Sequence, residues 1–92
     1  MTVRFTDRSS IQIDKALTYV SERSPSGAER IAIRISEAIE LLANQPRAGQ
    51  RTSRQSTRRL VMSPYPYVIF YRLDGEDVVV TRFRHTSRRP EQ

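Results

Sequence analysis

The sequence predicts an α+β domain in the order β-α-α-β-β-β, an N-terminal helical hairpin packed on a small antiparallel sheet. Three observations predict it. Ala28, Ile31, Ala32, Ile35, Ala38, Ile39 and Leu42 recur at helical spacing and form one continuous apolar stripe. From Thr57 onward the apolar period falls to two, the period of a strand. Asp74-Gly75 then sits between two such runs, where it reads as a hairpin turn.

Thr2-Val-Arg-Phe-Thr6 alternates polar and apolar residues and predicts a short first strand. Asp7 or Ser9 can cap the helix that follows, and Ile13, Ala16, Leu17 and Val20 carry its apolar face to about residue 22. Ser24-Pro25 stops that helix and starts the next. Ser24 can be the N-cap with Pro25 at the first helical position, and Ser26 with Glu29 offers a competing capping box. The stripe carries the second helix over 25–43, and the tight connection makes the pair an antiparallel hairpin. Pro46 and Gly49 open a polar segment, 47–57, read as a loop rather than a core element. Strands are predicted over 57–63, 67–73 and 77–85. In the first, Leu60 and Met62 face one way, Arg59 and Val61 the other. Pro64-Tyr65-Pro66 breaks it, because proline cannot donate to a ladder. Tyr67 to Leu73 is almost wholly apolar, as befits a central strand covered on both faces. The stripe is expected to bury against Leu60, Val68, Phe70 and Val80 or their alternates. The partner of the first strand is not readable.

Ninety-two residues make one domain over 1–92. A chain of this size buries only roughly 60–65% of its unfolded surface, so its stability without a partner is expected to be marginal. There is no cysteine, hence no disulfide and no thiolate metal site. No apolar run reaches membrane-spanning length and Met1-Thr-Val-Arg-Phe5 lacks a signal-peptide layout. A soluble, cytoplasmic protein with no membrane partner is expected. The net charge of +6 is unevenly placed: residues 1–46 carry six basic and six acidic side chains, residues 47–92 ten and four. The excess is all arginine, which grips carboxylates and phosphates bidentately. A general preference for Arg over Lys explains the single lysine, Lys15, but not the asymmetry between halves. The asymmetry implies an acidic partner, protein or nucleic acid.

Arg58, Arg59, Arg72, Arg82 and Arg84 lie on or beside adjacent predicted strands. Such a cluster can polarise an RNA phosphate, but cleavage also needs a general base and a general acid. The only candidates nearby are His85, Tyr71 and the acids of the turn, so Arg72, Arg82 and His85 form at best an incomplete catalytic set. A binding role is favoured for these arginines, for the sole histidine, His85, and for Arg88 and Arg89 in the basic tail. Tyr65, Tyr67 and Tyr71 are read as packing residues with hydrogen-bonded hydroxyls rather than base-stacking platforms. No glycine-rich phosphate loop, metal-ligand spacing or nucleophile triad occurs, and no cofactor is implied.

Three segments together resemble the RelE/ParE superfamily of small bacterial toxins from type II toxin–antitoxin systems. They are Asn44-Gln-Pro-Arg-Ala-Gly49, the run from Thr57 to Arg72, and Arg82-Phe-Arg-His-Thr-Ser-Arg-Arg-Pro90. The resemblance covers Val3 to about Pro90 and is closer to the ParE branch. RelE-like nucleases tend to carry lysines or a tyrosine near the site and the C-terminus. Here no lysine follows Lys15 and no aromatic follows Phe83. ParE-like chains often have a histidine where His85 stands, then a small residue, more usually Gly than this chain's Thr86, and one or two arginines. The resemblance implies a binding toxin that inhibits DNA gyrase and is neutralised by a cognate acidic antitoxin lying over the helical stripe and the arginine face. It leaves two alternatives: a ribosome-dependent mRNA endoribonuclease, for which alone nucleic-acid binding is expected, and a non-toxic member that retains antitoxin binding.

Overall fold

A computed structural model describes residues 2–54 and 56–86. The order is β1 (Val3–Phe5), α1 (Asp7–Ser21), α2 (Pro25–Asn44), β2 (Gln50–Arg51), β3 (Thr57–Val61), β4 (Tyr67–Asp74) and β5 (Asp77–His85). The five strands form one sheet in the order β1-β5-β4-β3-β2. The last three strands pair antiparallel, as expected. β1 joins the sheet in parallel to β5, with Val3 opposite Val78 and Phe5 opposite Val80, so the sheet is mixed rather than wholly antiparallel.

The helix starts follow from side-chain capping. Thr6, not Asp7 or Ser9, caps α1: its hydroxyl accepts from the Ser9 amide at 3.1 Å. Thr6 is still tied to the sheet, its amide donating to the Val80 carbonyl, so the helix begins where the ladder ends. The Ser9 hydroxyl, fully buried, serves instead to bond α1 to the Thr6 and Val80 carbonyls, each at 2.9 Å. Ser24 caps α2 through the Gly27 amide, with Pro25 in the first turn, so the capping-box alternative at Ser26 is not used. A proline there loses nothing, since its missing N–H would have had no helical partner.

The α2 stripe is buried as the spacing requires: Ala28, Ile31, Ile35, Ala38 and Leu42 face the sheet. Their partners in the core are Met62, Tyr67, Ile69, Tyr71, Val78, Val80 and Phe83, with Leu60 and the α1 residues Ile13, Ala16, Leu17 and Val20 at its margin. Val68 and Phe70 alternate to the opposite face of β4, away from the helices. The segment read as a polar loop contains β2, a two-residue ladder of Gln50 and Arg51 on Arg59 and Arg58, too short to show a period. The β4–β5 turn proper is Gly75-Glu76, one residue later than Asp74-Gly75, since Asp74 and Asp77 are paired. Gly75 has φ +62°, a conformation that favours a residue without Cβ.

Candidate functional site

The helices cover one face of the sheet and leave the other open. Strand alternation assigns every β3, β4 and β5 residue to a face, with one interruption. Tyr71 pairs with Val80 and Phe70 with Arg82, so Thr81 is an extra residue in β5, and its hydroxyl donates to the Phe70 carbonyl at 3.3 Å. This bulge reverses the phase of the strand. Val78 and Val80 face the helices before it, and Phe83 and His85 after it. Were Thr81 paired in regular alternation rather than bulged, Arg82 and Arg84 would point into the core.

The open face therefore gathers Arg59, Phe70 and Arg82 in one cross-strand row and Val61, Val68 and Arg84 in the next. Arg72 lies on the same face beside Thr57 and Val79. The Arg82 guanidinium is pushed below its usual value, first by burial and then by the like charges of Arg8, Arg84 and Arg54. It remains a cation at neutral pH, since arginine deprotonates only far above it. Arg8 and Arg54 thus belong to the cluster although neither was singled out in the sequence. Arg8 reaches it because β1 delivers α1 to the β5 side of the sheet, and Arg54 because the β2–β3 connection lies close enough for its charge to act on Arg82. Neither position has a local sequence signal.

Two of the three acids at the turn do not serve this cluster. Arg4 holds both, Asp74 and Asp77, at 3.1 Å each. Beyond these, the acidic side chains nearest in sequence are Glu40 and Glu76; none occurs between Glu40 and Asp74.

Two of the sequence-predicted residues stand elsewhere. His85 lies opposite Tyr67 on the helix-side face, its ring edge-on at 5.2 Å, while Tyr67 stacks on Phe83 at 5.0 Å. The structure thus separates His85 from Arg72 and Arg82 by the thickness of the sheet. Arg58 also points to the helix side, where its Nη1 donates to the Gly49 carbonyl at 2.9 Å and approaches the Arg47 carbonyl at 3.4 Å. Arg88 and Arg89 lie outside the described residues.

Beside Arg58 is a cavity of about 390 Å³, lined by Arg47, Arg51, Thr52, Arg54, Ser56, Thr57, Arg58 and Leu73. The segment that forms its wall is fixed from below. The Tyr71 hydroxyl, in a fully buried residue, donates to the Pro46 carbonyl and accepts from the Gly49 amide, both at 2.8 Å. Tyr71 therefore has the packing role with a bonded hydroxyl that the sequence suggested.

The apolar stripe of α2 is consumed by the chain's own core, so it offers nothing to a partner. The exposed apolar residues on the helices are Ile11, Tyr19 and Ile33. Among the described residues, no group of His, Cys, Asp or Glu is placed to hold a metal, and no helix is long and apolar enough to cross a membrane.

The profile of a family described as ParE toxin of type II toxin-antitoxin system, parDE, matches residues 3–90. The protein Y4kP of Sinorhizobium fredii is 33% identical over 79 residues, covering 86% of this chain and 82% of its own. Toxin RelE2 of Caulobacter vibrioides is 39% identical over 70 residues, covering 76% of this chain and 77% of its own. A solved structure titled as the chromosomal ParDE TA system from P. aeruginosa superposes with a TM-score of 0.81 at 21% identity, covering 95% of this chain and 97% of that one. The fold is common to both.

Proposed function

The chain belongs to the ParE toxin family of type II toxin–antitoxin systems, and from that premise we propose that it arrests growth by binding DNA gyrase in the cytoplasm, with no bond-breaking chemistry of its own. The observation that carries this reading is the separation of the only histidine from the arginines. RNA cleavage at Arg72 and Arg82 would need a proton acceptor and a donor within hydrogen-bond reach of one phosphate. His85 is on the other side of the sheet, Tyr71 is buried with its hydroxyl engaged on both sides, Asp74 and Asp77 are both paired with Arg4, and Glu76 sits exposed in the β4–β5 turn. The open face is instead a binding surface, with arginines around the half-buried Phe70, Val68 itself being buried.

The same face suits a cognate acidic antitoxin. Its carboxylates would engage Arg59, Arg72, Arg82 and Arg84, where like charges already destabilise one another and a counter-charge relieves the strain. Charge reversal at Arg72 and Arg82 should weaken that complex and leave the fold intact, because among the described residues neither side chain donates a hydrogen bond or forms an ion pair.

A second reading, an mRNA endoribonuclease, is favoured by the RelE name of the Caulobacter relative. One experiment separates the two. The protein and its His85→Gln variant are induced in cells, and gyrase-linked DNA breaks and ribosome-dependent mRNA cleavage are measured side by side. Glutamine keeps a hydrogen bond but cannot carry a proton near neutral pH. The gyrase reading expects DNA breaks from both proteins and growth inhibition by the variant within a few-fold of the parent. mRNA cleavage by the parent, abolished in the variant, would replace it with the nuclease. A parent that neither breaks DNA nor cleaves RNA, yet binds its antitoxin, would be a non-toxic member of the family.

A further inference from the structure

We infer that the arginine-walled cavity at the β2–β3 end of the sheet is a phosphate site that takes the backbone of a nucleic acid. It lies at the edge of the sheet, taking in Arg58 and Leu73 of the helix side and Thr57 of the other face. Four arginines line it, Arg47, Arg51, Arg54 and Arg58. Among the described residues lining the cavity none is acidic, and no acidic residue occurs in the sequence between Glu40 and Asp74. Among the described residues, Arg47, Arg51 and Arg54 make no ion pair. Four like charges around about 390 Å³ repel one another, and the arrangement is stabilised by a ligand carrying more than one negative charge.

The cavity is also built rather than incidental. Arg58 is aimed by the Gly49 carbonyl, and the loop bearing Arg47 is clamped by the Tyr71 hydroxyl. Thr52 closes the other wall, its hydroxyl accepting from the Arg54 amide and donating toward the Thr57 carbonyl. A donor held in advance, as Arg58 is, loses less freedom on binding than a free one.

The lining distinguishes phosphate from the other anions of the cell. It contains no aromatic residue, so no platform stacks a base, and only Leu73 is apolar, so no pocket anchors a peptide side chain. What remains is arginine with the Ser56 and Thr57 hydroxyls, the donor set that binds phosphate oxygens without reading sequence. Arg47, Arg51 and Arg54 are exposed and spread along the cavity wall. Several separate cations fit the successive phosphates of a linear polyanion better than one small anion.

The test measures binding of the purified full-length chain to a fluorescent 16-nucleotide oligothymidylate by anisotropy, over a range of salt, without gyrase or antitoxin. Its outcome is thereby independent of the growth-arrest mechanism. The double variant Arg47→Gln/Arg51→Gln removes two cavity cations whose side chains bond to no other described residue. Arg23→Gln/Arg30→Gln removes the same charge from the helical hairpin, and circular dichroism and melting verify that both fold. Removing one arginine–phosphate pair should lower the salt slope by about 0.7 and the affinity at physiological salt about 4-fold, roughly 15-fold for two. The cavity variant should show that weakening and the hairpin variant less than about 2-fold. Inorganic tripolyphosphate should displace the oligonucleotide from the parent. Equal weakening in the two variants would reduce the effect to net charge and overturn the site. So would an unbound oligonucleotide beside a poly-glutamate peptide that binds and loses affinity only in the cavity variant, which would reassign the cavity to an acidic protein partner.

Discussion

Replacing Tyr71 by Phe tests whether one buried hydroxyl holds the loop that forms both the cavity wall and the end of the core. The ring is fully buried, and its oxygen is the partner of both the Gly49 amide and the Pro46 carbonyl. Phenylalanine keeps the apolar packing and leaves two backbone groups without their partner. Each such group costs about 1–3 kcal/mol where water cannot replace the bond. Gly49 is buried and Pro46 only partly so, which sets the expected loss at about 2–4 kcal/mol. For a domain of this size that is a fall in melting midpoint of roughly 10–25 °C. Gly49→Ala probes the same junction from the other side. A Cβ there would meet the Arg59 carbonyl and the Tyr71 hydroxyl at 2.6 Å and Tyr71 Cε1 at 2.7 Å. Overpacking of this kind costs about 1–3 kcal/mol, whereas alanine at an unhindered glycine stabilises by about 0.4–1 kcal/mol. The two destabilisations should not add, because Tyr71→Phe removes one of the colliding atoms while the Arg59 carbonyl and Cε1 remain.

The phenol also fixes a pH window. Burial raises the Tyr71 pKa above the ordinary 10.0, outweighing the Gly49 amide and the Arg58 charge, which lower it. Folding thus favours the neutral phenol. Below pH 10 both states carry it neutral and its contribution is fully present. Above pH 10 the unfolded chain deprotonates first, and the contribution is lost as pH rises through the folded value. Urea unfolding of parent, single and double variants, from pH 7 to 11.5, measures all of this. A Tyr71→Phe variant within about 0.5 kcal/mol of the parent at pH 7, or a Gly49→Ala variant more stable than the parent, would refute the reasoning.

Thr6→Ala removes both the α1 cap and the bond to the Thr81 carbonyl, and should cost about 1–2 kcal/mol by chemical denaturation, with Thr6→Ser recovering most of it. Deleting Thr81 removes the β5 bulge but leaves Arg82 and Arg84 on the open face, because Arg82 then follows Val80 in regular alternation. The expected outcome is a retained cooperative melt, with stability lowered by about 1–3 kcal/mol through loss of the Thr6 and Phe70 bonds at Thr81. Arg4→Gln breaks both ion pairs to the β4–β5 turn, but all three side chains are well exposed. The loss should stay below about 1 kcal/mol and shrink further in 0.5 M salt.

What the sequence made legible was whatever depends on neighbours along the chain. The α2 stripe, the Ser24-Pro25 start and the apolar run of β4 each carry their signal within about twenty residues, and each appears where that signal placed it. β1 too stands where the alternation of Thr2 to Thr6 placed it, but its partner was not legible, because a three-residue strand pairing in parallel with β5 leaves no mark on either partner. β2 has only two residues and is held by Arg58 and Tyr71, so its existence depends on bonds from strands that follow it. The candidate site was half legible for the same reason. That arginines crowd the last strands is a matter of counting, but their faces depend on register.

The bulge at Thr81 shows how much rests on one residue. Strict alternation from Val78 and Val80 assigns Arg82 and Arg84 to the helix face and Phe83 to the open one, opposite to what is observed. The signal was present in the sequence, since Val78-Val79-Val80 followed by Phe83 cannot keep one apolar period, but it does not say where the extra residue lies. Its position decides the chemistry available. With Thr81 bulged out of the ladder, Arg82 and Arg84 join Arg59 and Arg72, and His85 goes to Tyr67. A single register shift thus assembles a cationic face and, in the same stroke, places the only histidine on the other side. The same residue bonds to the Phe70 carbonyl and accepts from the α1 cap, Thr6, so the shift is locked to the start of the helix. Binding surface and helix docking are therefore one structural decision, and a change at Thr6 or Thr81 should register in both.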